Sequence, residues 1–386
     1  MKTETVKGFR DIEDASKRIF VRNLIEDVFR LYNFIPVETP IIEYEEFVRG
    51  ENSNEDTISE IFKLEDRGKR KLALKYESTF QLKRIAQNKK LPYKRYQISP
   101  CFRDEPIREN RYRQFIQCDI DIIGSKLTDE AEILKVISEV LKKLGIKFII
   151  QLNNRKLMNE ILEGLKIEEK NMSQVIKEID KLDKLPEKEV RENLKKLGAE
   201  KALLIFKKPE KYFEKYKSYV EIKELRKICN SMKIKFEFVP TLARGLSYYT
   251  GTVFEVKSDM KESIAGGGAY IINGNPSVGI AFGLDRVEVL AKVEPEYKKL
   301  LIISLGQDKK SLELADKIRG LNVSCSVYYG KPGKALDYAN SYNIPLVIFV
   351  GDEEIKKGKF KIKDMNSGKE EFVGEKDIGK WLEKFD

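Results

Sequence analysis

In the run Phe115-Ile116-Gln117-Cys118-Asp119-Ile120-Asp121-Ile122, apolar residues take every second position. Successive side chains of a strand point to opposite faces, so Ile116, Cys118, Ile120 and Ile122 belong to a core. Phe115, Gln117, Asp119 and Asp121 then share a second, polar space. A helix would scatter the two acids around its axis. The same period begins at Tyr93 and is broken only by a segment rich in Pro, Arg and Asn, Pro106 to Asn110. This predicts an antiparallel hairpin with a basic tip and with Arg103 and Glu105 on one face of its first strand.

The flanking segments predict what the hairpin packs against. Val21, Leu24, Ile25, Val28, Phe29 and Tyr32 recur at helical spacing within residues 14–32. Phe34 to Glu43 reads as a strand, and Pro36 and Pro40 assign it to an edge or an interface. Residues 154–232 are rich in Lys and Glu and poor in Gly, with Leu157, Ile161, Leu162 and Leu165 at helical spacing, which predicts a helical insertion. From Phe236 strand and glycine patterns return. After Lys298, strands such as Leu300–Leu305, Val323–Tyr329 and Pro345–Val350 alternate with helices, which predicts a small α/β domain with a mostly parallel sheet. The expected fold class is α+β: 1–153 and 236–296 form one core, 154–235 the insertion, and 297–386 a separate domain.

Composition removes several kinds of chemistry. The 386 residues include no histidine, which excludes histidine bases and histidine metal ligands. Cys101, Cys118, Cys229 and Cys325 form no Cys-x-x-Cys pair, so neither a zinc knuckle nor a disulfide framework is expected. No apolar run is long enough to span a bilayer, and Met1 to Arg10 lacks the apolar centre of a signal peptide, so a soluble cytoplasmic protein is expected. The net charge of +10 suits a polyanionic partner and equally suits a Lys-rich solvated surface.

Four clusters carry candidate chemistry. Arg103, Glu105, Arg111, Arg113 and Phe115 converge on the hairpin. Arginine forks suit phosphate oxygens and Phe115 offers a ring face for stacking; a salt-bridge ladder on a solvated sheet is the competing interpretation. Gln117 and Asp121 continue that face and suit a ligand with N–H donors. Arg244 precedes Tyr248 and Tyr249, placing a cation beside two hydroxyls. Gly266-Gly267-Gly268 permits close backbone approach, to a ligand or simply in a turn. Gly283-Leu284-Asp285-Arg286 enters an apolar helix.

These segments resemble the three motifs of class II aminoacyl-tRNA synthetases. Phe34-Ile35-Pro36-Val37-Glu38-Thr39-Pro40 is similar to the first motif, Phe102-Arg103-Asp104-Glu105 with Arg111-Tyr112-Arg113-Gln114-Phe115 to the second, and Gly283 to Arg286 to the third. Two further stretches resemble signatures of histidyl-tRNA synthetases. They are Arg244-Gly245-Leu246-Ser247-Tyr248-Tyr249 followed by Thr252-Val253-Phe254-Glu255, and Gly267-Gly268-Ala269-Tyr270-Ile271. Lys94-Arg95-Tyr96 through Asp121-Ile122-Ile123-Gly124 looks like the archaeal or eukaryotic style of that family.

The resemblance implies an antiparallel catalytic core with a helical insertion and a C-terminal anticodon-binding domain. It implies ATP and histidine as substrates, Mg²⁺ carried on the ATP phosphates, histidine tRNA as partner and a homodimer, with no role for DNA or membrane. Arg103 would hold the α-phosphate and the amino-acid carboxylate, and Arg244 would stabilise charge at the reacting phosphorus. Glu105 would contact adenine, Phe115 and Arg286 would sandwich it, and Arg111 would face the γ-phosphate. Glu77 and Thr79, in Tyr76-Glu77-Ser78-Thr79, match the family's Pro-Glu-Gly-Thr segment and, with Gln117, would hold the histidine ammonium; Ser78 between them is placed in the same histidine site. Asp121, Tyr248, Tyr249 and Tyr270 would line the imidazole site. The sequence departs from the family pattern at Ser78, Ser247, Ala269, Ile271 and the Pro106–Asn110 loop. The rival from another class is a non-catalytic paralogue of this fold, the regulatory subunit of ATP phosphoribosyltransferase. It usually lacks the C-terminal domain and the activating residues.

Overall fold

The computed structural model describes residues 3–50, 59–107, 111–183, 185–244, 248–260, 262–295 and 299–384. The chain divides into two compact units, Met1–Glu294 and Pro295–Asp386.

The strands of the first unit are β1 (Ile35–Pro36), β2 (Ile42–Tyr44), β3 (Lys63–Glu65), β4 (Lys71–Leu74), β5 (Tyr93–Phe102), β6 (Gln114–Ile123), β7 (Ile149–Asn154), β8 (Glu237–Phe238), β9 (Tyr249–Lys257), β10 (Ala265–Ile272) and β11 (Asn275–Gly283). Eight of them form one sheet in the order β1-β5-β6-β11-β10-β9-β7-β8, antiparallel from β5 through β7. β2, β4 and β3 form a small second sheet. β1 sits at the edge, as its proline requires, paired in parallel with β5.

The period-two alternation is realised on β6. Cys118, Ile120 and Ile122 are fully enclosed in the main core with Val21, Ile25 and Phe29 of the helix Ser16–Leu31. The helix Leu127–Lys143 packs Ile133, Leu134, Ile137 and Leu141 into the same core. One face of the sheet is therefore sealed by helices, and the other carries Gln117, Asp119 and Asp121. The first hairpin strand ends at Phe102, earlier than the sequence suggests. Arg103 extends the ladder by one bond, its N–H donating to the Arg113 carbonyl at 2.9 Å, and Glu105 lies in the connection.

Between β7 and β8 the described residues form helices at Arg155–Gly164, Glu169–Asp180, Glu187–Lys196, Glu200–Phe206 and Tyr219–Ser231. Their apolar faces merge with the main core through Leu157, Ile161, Val175, Leu194 and Leu203. Asn154 starts the first of them, its side-chain oxygen accepting from the Lys156 N–H at 2.8 Å.

The second unit has β12 (Lys299–Ser304), β13 (Ser324–Tyr329), β14 (Leu346–Val350), β15 (Lys359–Asp364) and β16 (Glu370–Gly374) in the order β13-β12-β14-β15-β16. The first three in that order are parallel and the last two are antiparallel additions. Leu300 and Ile302 pack under one face with Leu314 and Ile318, while Leu301 and Ile303 pack on the other with Ala335 and Ala339. Burial on both faces is why β12 and β14 read as continuous apolar runs.

Candidate active site

The polar face of the large sheet opens into a cavity of about 730 Å³. Glu77, Thr79, Arg103, Glu105, Arg111, Phe115, Gln117, Asp121, Arg244, Tyr248, Tyr249, Tyr270 and Arg286 all line it, although they come from widely separated stretches of the chain. Ser78 does not. Its side chain is completely buried behind the wall, and what it contributes is a carbonyl that accepts from Arg95 Nη2 at 3.0 Å. Its neighbours Glu77 and Thr79 do reach the cavity.

At one end the arginines gather. The Arg103 guanidinium lies 4.4 Å from the Tyr76 ring centre and 5.2 Å from that of Phe115, and its Nε donates to the Tyr76 carbonyl at 3.3 Å. Glu105 draws in both Arg103, at 3.8 Å, and Arg111, in a tighter ion pair. Arg286 donates through Nη1 to the Ser263 carbonyl at 2.7 Å. Its preceding residue, Asp285, is buried and accepts from Arg10 at 2.8 Å, Arg18 at 3.0 Å and the Ile116 N–H at 3.1 Å. That carboxylate therefore ties the strand beside Phe115 to the helix start that carries Arg286.

At the other end lie three enclosed acids, Glu77, Asp119 and Asp121. Burial pushes Glu77 up to about 7 against the pull of Arg103, with Asp119 and Asp121 adding to the push. Burial pushes Asp119 up to about 6 against Arg95, with Asp121 adding. Asp121 is raised for the same reason and restrained by Arg95 and by the Tyr270 hydroxyl, which donates to its Oδ1. Gln117 Nε2 donates to Asp119 Oδ1 at 2.7 Å. Tyr248 stands against Tyr249 and Tyr270, with ring centres 4.7 Å and 5.7 Å away. Glu77 Oε1 has no hydrogen-bond partner among the described residues. An enclosed carboxylate oxygen in that state calls for a ligand with N–H donors.

Arg244 joins the two ends. It adopts a left-handed backbone, φ 56°, and its Nη1 pairs with Glu255 Oε1 at 3.0 Å. The other Glu255 oxygen accepts from Ser263 Oγ at 2.6 Å. The three glycines lie inside β10 rather than in a turn. A Cβ at Gly266 would stand 1.5 Å from Arg244 Nη1, one at Gly267 2.0 Å from the Gly279 carbonyl, and one at Gly268 2.4 Å from the Thr252 carbonyl. The glycines admit the chain's own arginine and neighbouring strands, and Gly266 also lines the cavity. Gly245 to Ser247 and Arg108 to Asn110, where two of the sequence departures fall, lie outside the described residues.

Arginines and aromatic rings thus meet enclosed acids around one cavity. The histidyl-tRNA synthetase family model matches residues 8–287, and an anticodon-binding-domain model matches residues 299–385. The chain belongs to the histidyl-tRNA synthetase family. Histidine--tRNA ligase 2 of Shouchella clausii is 35% identical, covering 96% of this chain and 98% of its own length. A histidine--tRNA ligase of Wolinella succinogenes is 33% identical over 94% of each chain. The crystal structure of histidyl-tRNA synthetase from Nostoc sp. PCC 7120 superposes with a TM-score of 0.86 at 25% identity, covering all of both chains. A structure described as an ATP phosphoribosyltransferase regulatory subunit/histidyl-tRNA synthetase from Bacillus halodurans C shares the fold, with a TM-score of 0.75 at 18% identity. Membership gives the fold class its name: a class II catalytic sheet with an anticodon-binding domain after it.

Four residues of this site were not singled out from sequence. Asp119 carried a signal, since it shares the alternation of Gln117 and Asp121. Glu255 stands in a quoted family segment. Arg95 was visible as a charge within a strand, but nothing in the sequence shows that it is enclosed. Asp285 stands in the segment that enters the last helix of the first unit, with nothing in the sequence to show its three partners.

Proposed function

We propose that this cavity binds histidine and ATP side by side and forms histidyl-adenylate, from which histidine passes to the 3′ end of histidine tRNA. The observation that carries this is the meeting of Arg103, Arg244 and Arg286 around one cavity with an enclosed acidic niche beside them. The histidine ammonium rests against Glu77, with Thr79 and Gln117 adjoining. The imidazole enters between Asp121, Tyr248, Tyr249 and Tyr270. Adenine lies between Phe115 and Arg286 with Glu105 at its edge, and Arg111 leaves Glu105 to meet the γ-phosphate.

In the first step a histidine carboxylate oxygen bonds to the α-phosphorus as the bond to pyrophosphate breaks. Arg103 and Arg244 are fixed cations where negative charge accumulates, so stabilising it needs little reorganisation. In the second step a ribose hydroxyl of the tRNA attacks the activated carbonyl and AMP departs. The chain has no histidine to act as base, and we assign the proton to a phosphate oxygen of the adenylate. Mg²⁺ supplies further neutralisation of the phosphates when bound. Among the described residues no three acidic or thiol side chains cluster as a metal site. Glu255 and Glu262 line the cavity and would assist a cation held mainly by phosphate oxygens and water.

Amino-acid-dependent ATP–pyrophosphate exchange across a panel of amino acids tests the assignment, with histidine alone expected to support it. Arg244→Ala is expected to abolish histidine-dependent exchange, and near-normal exchange in that variant refutes its role. The match of the last 87 or so residues to an anticodon-binding domain weighs against the regulatory paralogue.

The segment around the first motif supports a homodimer. Ile35, Ile41, Ile42 and Tyr44 are each at least 42% exposed beside an edge strand, and light scattering of the purified protein measures the assembly. No described helix is long and apolar enough to cross a membrane, and a cytoplasmic location is proposed with the function. Residues 154–235 are proposed as a functional insertion between two parts of the catalytic core, 1–153 and 236–296.

A further inference from the structure

Arg95 is the largest side chain to be completely enclosed among the described residues. It lies on β5 directly opposite Asp121 on β6, so the two share the polar face of the sheet. Its Nη2 stands 2.6 Å from Asp121 Oδ2 and donates to the Ser78 carbonyl. Yet it does not line the cavity. The segment Lys75 to Thr79 covers it, so it touches the pocket only through the acid it holds. Its Nε and Nη1 have no hydrogen-bond partner among the described residues. An enclosed guanidinium with idle donors is costly, and the cost is compensated only where a charge needs it.

The need is plain from the surroundings. Asp121 lies between two partners: Arg95 forms an ion pair with Oδ2 outside hydrogen-bond geometry, and the Tyr270 hydroxyl donates to Oδ1. A carboxylate offers about four lone-pair positions, so those of Oδ2 remain for a ligand while Arg95 supplies the countercharge. Lys75, the other enclosed cation nearby, is turned toward Thr39 Oγ1 at 3.3 Å and Ser99 Oγ at 3.1 Å. A protonated Asp121 would turn one of its oxygens into an O–H donor and keep only a weaker neutral acceptor, whereas an ionised one presents only acceptors and receives a ring N–H more strongly.

We propose that Arg95 is the positioning residue of the amino-acid pocket: it keeps Asp121 an ionised, fixed acceptor and thereby makes the pocket select a side-chain ring that donates an N–H. This rests on the assignment of the cavity to histidine. The charged and titratable groups facing the cluster are Lys75 and Glu77 from the covering segment, Tyr93 from β5, Arg103 just beyond it, Asp119 from β6, Tyr248 and Tyr249 at the start of β9, and Tyr270 from β10. Arg95 is the group among them that opposes proton uptake by both Asp119 and Asp121.

Pyrophosphate exchange in the full-length protein tests this with Arg95→Met, similar in length but uncharged, and with Arg95→Lys. In Arg95→Met the histidine KM is expected to rise about tenfold or more near pH 6.5, while kcat and the ATP KM stay within about twofold. The ratio of variant to wild-type KM is expected to shrink toward about pH 8.5, where the unpaired acid ionises unaided. Taking the ratio cancels the titration of histidine itself. Arg95→Lys is expected to recover most of the loss. If Arg95→Met does not fold, Arg95→Met with Asp121→Asn removes both charges and is expected to fold with a raised histidine KM. A histidine KM at the wild-type level in either folded variant overturns the proposal, as does a loss in Arg95→Lys equal to that in Arg95→Met or a loss independent of pH. Absence of histidine-dependent exchange in the wild-type protein would instead overturn the assignment of the cavity.

Discussion

Gly266 and Arg244 occupy complementary space: the Arg244 guanidinium lies where a Cβ on residue 266 would have to be, 1.5 Å from Nη1. The arginine proposed to act at the reacting phosphorus, which lies between β8 and β9, is therefore aimed by a missing side chain on β10. Gly279 and Asp121 repeat the relationship, with a Cβ at 279 falling 2.1 Å from Asp121 Oδ1.

Gly266→Ala is expected to lower kcat for exchange about 100-fold, because a displacement near 1 Å at a reacting centre has that effect. Gly279→Ala is expected to raise the histidine KM instead and leave the ATP KM alone. Steady-state exchange kinetics separate the two, and equal effects on both substrates in Gly279→Ala would contradict the division of the cavity.

Glu255→Gln keeps the shape of the partner that holds Arg244 Nη1 at 3.0 Å but removes its charge. The expected result is a fall in kcat of about tenfold with both KM values little changed, since only the aim of the cation is loosened. Pre-steady-state adenylate formation measures it.

The acidic niche gives the ligand-free protein a distinctive pH dependence. Glu77 is raised from 4.5 to about 7 and Asp119 from 3.8 to about 6. For carboxyls raised on folding, the stabilising contribution is complete below the unfolded values and disappears as pH climbs through the folded ones. Thermal midpoints of the free protein are thus expected to decline between about pH 4 and pH 7 from this source, and Glu77→Gln flattens the decline. Histidine affinity runs the other way, strengthening toward pH 7 and above as Glu77 ionises to meet the ammonium. Calorimetric titration with histidine across that range checks it.

Asp285 ties Arg10, Arg18 and the Ile116 N–H to the start of the helix Leu284–Leu290. Asp285→Ala leaves the mostly enclosed Arg18 with Glu288 as its remaining ion-pair partner. It is expected to cost about 2–3 kcal/mol in urea unfolding, below the range for fully buried pairs. The ATP KM is expected to rise as well, because Phe115 and Arg286 lose their common anchor. Unchanged ATP binding in a folded variant would mean that the adenine site is held by other contacts.

Much of this molecule was legible in one dimension. The alternation in β6 fixed which face of the sheet is core, because strand geometry leaves no other placement for Cys118, Ile120 and Ile122. Proline placed β1 at an edge. The arginine motifs named most of the cavity wall, and alternating elements after Lys298 announced the second unit. Local rules suffice for such features because each depends on neighbours a few residues away.

What the sequence could not decide was enclosure and contact across strands. Whether Arg95 meets solvent or Asp121, whether Ser78 faces the cavity or its back, and whether three glycines form a turn or lie in a strand with Gly266 clearing space for Arg244 all depend on which strands become neighbours and in what register. Those pairings join residues far apart in the chain, so the energy of an enclosed charge or an absent Cβ has no local signature. It exists only once the sheet has closed around it.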